Sequence, residues 1–331
     1  MYKIILTLRN GKGVIMIFSG EKQLTATKRN KIRWKEIIPI YIMVLPGFIY
    51  LMINNYMPMY GILIAFKKLD YRKGIFKSPW CGLDNFRFLF LSKDAWIITR
   101  NTICYNVAFF IVGTIAAVTM AILINEIRSK FASKLYQSAT LLPFLMSWVV
   151  ISYIGYAFLS PETGMINKSI LQPLGKEPIN WYMERKYWPL ILILVNTWKV
   201  LGYNMIIYLS SIVAINPDLY EAAWLDGANK WQQIKHITLP LLKPTVITLL
   251  ILSSGQIFRS DFGLFYQMPQ RSGVLYPVTR TLDVYVYQAL MKNSDYGMSS
   301  AAAFYQSIVG FVLIMVVNQI VKKYNPDNAI F

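Results

Sequence analysis

The sequence predicts an all-α integral membrane protein with six transmembrane helices. Three observations carry that reading. Of its 331 residues, 55% are hydrophobic and only 15% are charged, where a soluble domain carries about a quarter charged residues; the mean hydropathy is +0.40. The apolar residues fall in blocks of roughly 18 to 30, long enough as helix to cross about 30 Å of hydrocarbon. The Lys and Arg behind the net charge of +18 gather at the ends of those blocks, where they meet anionic headgroups. The charge therefore points to membrane lipid and not to nucleic acid.

The first span covers 37–66 and contains Pro46, Gly47 and Pro58, which predict a kink. The second covers 101–125, the third 136–159, the fourth 188–213, the fifth 241–262 and the sixth 299–321. Small residues such as Ala116, Ala117 and Ala301 to Ala303 suit close helix packing in lipid. Lys22, Lys28, Arg29, Lys31, Arg33 and Lys35 precede the first span and place the tail 1–36 in the cytoplasm. Six spans then put the C-terminus and the loops 126–135 and 214–240 on the same side. The loops 67–100, 160–187 and 263–298 face outward. In "GLDNFRFLF" (82–90), Leu83, Phe86, Leu89 and Phe90 recur at helical spacing, which predicts an interfacial helix. The opening "MYKIILTLRNGKGVIMIFSG" lacks a small-residue cleavage site and does not read as a removed signal peptide.

Other chemistry finds little support. Cys81 and Cys104 have no metal-ligand spacing and are not expected to pair. His236 has no neighbouring His or Cys, so no metal site is expected. A membrane enzyme would need a nucleophile, a metal or paired carboxylates at the bilayer face. A stand-alone secondary transporter or channel for a polar solute, the alternative reading, would need an ion-coupling set at mid-membrane. Asp261 is the only acid in or near a span interior.

The clearest punctuation lies in the loop 214–240, "INPDLYEAAWLDGANKWQQIKHITLP" after Ala214. Asn216 suits an N-cap and Pro217 the first helical position. Asp218 and Glu221 set negative charge at the positive end of the helix dipole. Asp226-Gly227 ends that helix, with Gly227 free to adopt the left-handed conformation. Asn229 can cap a second helix with Gln232 three residues on, and Pro240 and Pro244 break the pattern before the fifth span. Two short helices of this kind are marginal alone in water, so either the membrane surface or a cytoplasmic partner covers them.

Glu221-Ala222-Ala223, Asp226-Gly227-Ala228 and Ile237-Thr238-Leu239-Pro240 together resemble the coupling loop of permease subunits of binding-protein-dependent ABC importers. The likeness extends over 35–331, through "LPGFIYLMINNYMPMYGILIAFK" (45–67), "GLDNF" (82–86), "RNT" (100–102), "LPFLMSW" (142–148), "DFGLFY" (261–266) and "YNPDNAIF" (324–331), which are similar to the carbohydrate-importing, LplB-like branch. The resemblance implies a type I, MetI-like architecture for 37–331 in a bacterial cytoplasmic membrane. It implies a second permease subunit, expected to be a paralogue, two ATP-binding cassette ATPases and an extracytoplasmic solute-binding protein. ATP and Mg would sit on the ATPases, since this chain has no "GxxxxGK[ST]" loop. It implies that Glu221, Ala222, Ala223, Asp226, Gly227 and Ala228 couple to an ATPase, and that the cargo is an oligosaccharide or polysaccharide fragment.

Polar and aromatic residues inside spans mark candidates for the solute path. In the fourth span these are Asn196, Trp198, Lys199 and Tyr203, and in the fifth Gln256, Arg259 and Asp261. Sugars offer hydroxyls to such polar groups and C–H faces to Trp and Tyr. The competing readings are an ion pair or loop placement for Arg259 and Asp261, snorkelling or bonding to neighbouring carbonyls for Lys199, and ordinary packing for the aromatics.

Overall fold

The computed structural model describes residues 34–88, 93–324 and 326. Most of the 1–36 tail, including its basic cluster up to Arg33, and residues 327–331 of "YNPDNAIF" lie outside the described residues. Among the described residues the regular structure is helical, apart from one antiparallel bridge between Lys67 and Trp80. The chain divides into two units between Met57 and Pro58.

In the first unit, α1 (Trp34–Leu51) runs through Pro39 and Pro46 and continues as π-helix over Met52–Tyr56. From Ile38 onward its large apolar side chains are exposed, Met43 at 81%. The second unit opens within a 3₁₀ helix, Met57–Phe66, whose first residue ends the first unit. Asn85 closes that helix: its Nδ2 donates to the carbonyls of Ile64, Ala65 and Lys67 at 3.2, 3.0 and 3.0 Å. Carbonyls left over at a helix end need such a partner, which explains the Asn of "GLDNF". Within the interfacial helix expected over 82–90, Asp84–Phe86 is a 3₁₀ turn that passes into helix at Arg87 and Phe88, and Phe86 is drawn into a core with Ala65 and Ala301; residues 89 and 90 lie outside the described set.

The remaining helices are α2 (Gly74–Lys77), α3 (Lys93–Asn125), α4 (Lys130–Leu145), α5 (Trp148–Leu159), α6 (Trp188–Val213), α7 (Asp218–Leu225), α8 (Lys230–Gln233), α9 (Leu239–Ser254), α10 (Phe262–Gln267), α11 (Tyr276–Thr279), α12 (Leu282–Asn293) and α13 (Tyr296–Tyr324). Helix α6 is central, packing along α3 and α4. Small residues make this possible. Ala117 and Ala121 of α3 are fully buried against Met205 and Tyr208 of α6. A Cβ at Gly202 would lie 2.2 Å from the carbonyl oxygen of Thr140, so only glycine admits the α4–α6 approach. A second core gathers Trp188, Leu192, Leu264, Phe265, Met268 and Leu275 around Tyr105.

Two predicted spans are corrected. The third is not one helix: α4 and α5 meet at 97°. Ser147 is extended there and its side chain accepts from Val150 N, starting α5 afresh. The fifth ends at Ser254, not 262. Among the described residues, five helices are long and apolar enough to cross a membrane, six if the α4–α5 pair counts as one span.

Candidate functional site

The 214–240 hairpin is built from local bonds. Asn216 Oδ1 accepts from Asp218 N at 3.1 Å, starting α7 one residue from the expected boundary. At its end, Gly227 takes φ +81°. Gly227 N donates to Trp224 O at 3.0 Å and Ala228 N to Ala223 O at 2.9 Å, the paired bonds that satisfy the last carbonyls of a helix around a left-handed residue. Asn229 and Gln232 form a reciprocal capping box, 2.9 Å one way and 2.8 Å the other. Tyr220 Oη and Thr238 Oγ1, 2.9 Å apart, tie the arms together. Lys230 reaches Glu126 at 3.0 Å, joining the hairpin to the α3–α4 turn.

The second arm departs from expectation. Pro240 does not break it. Helix runs unbroken over Lys230–Ser254 because Ile234–Thr238 widens into a π turn, where Leu239 N bonds to Ile234 O. A π turn absorbs the clash and the missing N–H of a helical proline. The second arm and the fifth span are therefore one rod.

Around Gly227 the surface is apolar yet uncovered by this chain. Trp224, Leu225 and Trp231 are 71, 80 and 69% exposed. A cleft of about 320 Å³ opens beside them, lined by Ala223, Asp226, Gly227, Ala228 and Gln232 among others. Glu221 and Ala222 are exposed on the same helix.

A second cluster forms at the α4–α5 break. The Lys199 ammonium donates to the carbonyls of Pro143, Phe144 and Met146 at 3.3, 3.1 and 2.5 Å, and lies 5.0 Å from the Trp148 ring. These carbonyls end α4, where a cation is favoured; Pro143 O also accepts from Met146 N at 3.2 Å. Trp148 Nε1 donates to Asp261 Oδ2 at 2.7 Å, while Asp261 Oδ1 accepts from Leu264 N and starts α10. Phe144 stacks on Tyr203 at 4.8 Å. Lys199, Tyr203 and Asp261 thus meet around the break.

The other path candidates stand apart. Asn196 is buried beside Thr197, while Trp198 lies on an exposed stripe with Leu190 and Leu194. Gln256, Arg259 and Asp261 follow the end of α9 rather than lie within it. The stretch is pinned by its backbone: Asn106 Nδ2 donates to the Ile257 and Arg259 carbonyls at 2.9 and 2.7 Å, and Asp283 accepts from Ser260 N at 2.6 Å. The Arg259 and Gln256 side chains are exposed. Sequence reasoning missed Trp148, Asn106 and Asp283, although the Ser147-Trp148 step after Pro143 signals a helix restart.

Comparison with known proteins places this multi-span helical chain, with its capped, uncovered hairpin, in the class of membrane transport subunits. Residues 110–326 match the family described as "Binding-protein-dependent transport system inner membrane component", and the chain belongs to that family. Its members are ABC transporter permease subunits and not enzymes. The chain is 34% identical to the polygalacturonan/rhamnogalacturonan transport system permease protein YteP of Bacillus subtilis, covering 94% of this chain and 95% of YteP. It is 31% identical to Protein LplB of the same organism, over 95% and 96%. Its fold superposes on a chain from the crystal structure of a bacterial ABC transporter involved in the import of the acidic polysaccharide alginate, with a TM-score of 0.80, 30% identity, and coverage of 88% of this chain and 98% of that one.

Proposed function

We propose that this permease subunit imports oligosaccharides or polysaccharide fragments, and that its 214–240 hairpin couples it to a cytoplasmic ATPase. The observation that carries the coupling is the hairpin tip. Trp224, Leu225 and Trp231 are exposed around a left-handed Gly227 turn whose backbone bonds are all made locally. Exposed aromatic anchors on a rigid frame are what a protein interface uses. Glu221 offers a carboxylate to a basic group, and Ala222, Ala223 and Ala228 admit close approach. Because the second arm is continuous with the fifth span, a rigid shift of the tip moves that span directly, the kind of motion that switches access between two sides. ATP and Mg are held by the two ATPases, a paralogous permease completes the path, and a solute-binding protein delivers the glycan. In this arrangement both termini are cytoplasmic. Relatives named for polygalacturonan/rhamnogalacturonan and alginate support a glycan cargo.

On the path side, Tyr203 and Trp198 are half-exposed, and Gln256 and Arg259 are open beyond α9; these four would meet sugar. Asn196, Lys199 and Asp261 would hold the frame beside it. The test of docking is a photo-crosslinker placed at Trp224 in the assembled importer. The ATPase is the expected product, and labelling of lipid alone would place the hairpin on the membrane surface.

A further inference from the structure

The loop after the first span folds back along it. Lys68 N bonds to Pro79 O at 3.0 Å and Cys81 N to Phe66 O at 2.9 Å, closing residues 67–81 on themselves. At the tip, α2 sets the Phe76 ring 6.3 Å from Tyr60. Tyr60 lies six residues before the helix end at Phe66, about 12 Å back at the 3₁₀ rise of about 2 Å per residue. The tip therefore points toward the apolar side of the interface.

Its backbone is built for such a place. Gly74 O accepts from Ser78 Oγ at 2.7 Å. The carbonyls of Ile75 and Phe76 accept from Lys67 Nζ at 3.1 and 2.7 Å, and Lys67 is only 4% exposed. Carbonyls satisfied from within the protein are the condition for backbone at membrane depth. The outer surface of the same loop pairs two chemistries. Phe76, Trp80 and Leu83 are 70, 66 and 68% exposed, as aromatic and apolar residues at a membrane boundary are. Lys68, Arg72, Lys73 and Lys77 are exposed beside them. Asp70 opposes them, 3.6 Å from Lys73. A hollow of about 430 Å³ lies among Lys68, Leu69, Asp70, Tyr71, Arg72 and Pro79, with acidic Asp70 on one side of it.

We propose that residues 67–83 form an interfacial anchor: Phe76, Trp80 and Leu83 enter the acyl boundary, and Lys68, Arg72, Lys73 and Lys77 hold the phosphate of an anionic phospholipid. An acidic protein or a free anion would match the cations but not the exposed apolar side chains, which adjoin the exposed Met59, Tyr60 and Ile62 of the 3₁₀ helix.

The full chain in lipid nanodiscs provides the test. The fluorescence difference between wild type and Trp80→Phe isolates Trp80. It should be quenched by lipids brominated near the headgroup end of the acyl chain and not by aqueous iodide; the reverse pattern overturns the anchor. Phosphatidylglycerol retained after mild delipidation is then counted by mass spectrometry. One cation near an anionic surface is worth about 1 kcal/mol, about fivefold, so K68Q/R72Q/K73Q/K77Q should lower the preference over phosphatidylcholine about tenfold or more, and K77Q alone severalfold. These charge changes leave Lys67 and its carbonyl bonds in place. Unchanged retention overturns the headgroup site. Displacement of the lipid by millimolar inorganic phosphate would make it a free-anion site. Binding-protein affinity that falls while retention holds would make it an acidic-protein dock. Either result also overturns the proposal.

Discussion

Replacing Lys199 by Met removes the ammonium and keeps the side-chain length. Three carbonyls at the end of α4 lose the Lys199 ammonium, at 3.3, 3.1 and 2.5 Å in the intact protein, in a site where Lys199 is 7% exposed; Pro143 O keeps the Met146 N–H at 3.2 Å. Hydrogen bonds between membrane helices average about 0.6 kcal/mol, which sets the low end near 2 kcal/mol for three. Bonds to charged groups are worth about 1.5 kcal/mol or more each, which sets the high end near 5 kcal/mol. Even the low end is about thirtyfold in the folding equilibrium. The assay is unfolding of the purified permease in mixed micelles, alongside transport in liposomes. The Met variant should lose stability by that amount and should lose the fixed α4–α5 angle, read by a spin-label distance across the break. A stability change under about 0.5 kcal/mol, within the usual range of surface substitutions, would refute the capping role. If transport alone then fell, Lys199 would act on the solute instead.

Trp148→Phe deletes the 2.7 Å bond to Asp261 but keeps a ring under Lys199; at this partly open site it should cost about 1 kcal/mol in the same unfolding assay. Gly202→Ala places a Cβ 2.2 Å from the Thr140 carbonyl and should cost about 3 kcal/mol as the helices part, seen as a lower yield of folded protein. Gly227→Ala meets nothing within 4 Å, so only its φ of +81° opposes it; about 1 kcal/mol is expected, read as faster amide exchange confined to 218–232. Asn229→Ala removes the capping box, and about 1 kcal/mol should appear in the same exchange window without loss of membrane insertion.

The hairpin was the most legible part of the chain because its signals are local. Asn216, Asp226-Gly227 and Asn229 with Gln232 act within four residues, and each makes its bond within that reach. Spans were legible from apolar length but not their ends. The apolar run passes through Gly255 into Ile257 and Phe258, yet the helix stops at Ser254, because Asn106 on α3 and Gln306 on α13 take the freed Ile257, Phe258 and Arg259 carbonyls. Those partners lie 151, 48 and 153 residues away in sequence. The α4–α5 bend was hidden for the same reason: the cation that caps it sits 53 to 56 residues downstream. The cluster on the fourth span divides between two faces: 198 and 199 differ by about 100° around a helix, so Lys199 is buried while Trp198 stays half-exposed, a split that residue type alone does not show.

The central claim is that the hairpin carries ATP-driven motion into the spans. The direct measurement is binding-protein-stimulated ATP hydrolysis in liposomes holding this chain, its partner permease and the ATPase, for wild type and for Glu221→Lys with Gly227→Pro. Stimulated hydrolysis in the wild type, abolished in a variant that still inserts and pairs with the second permease, is the predicted result. Equal stimulation in both would contradict it.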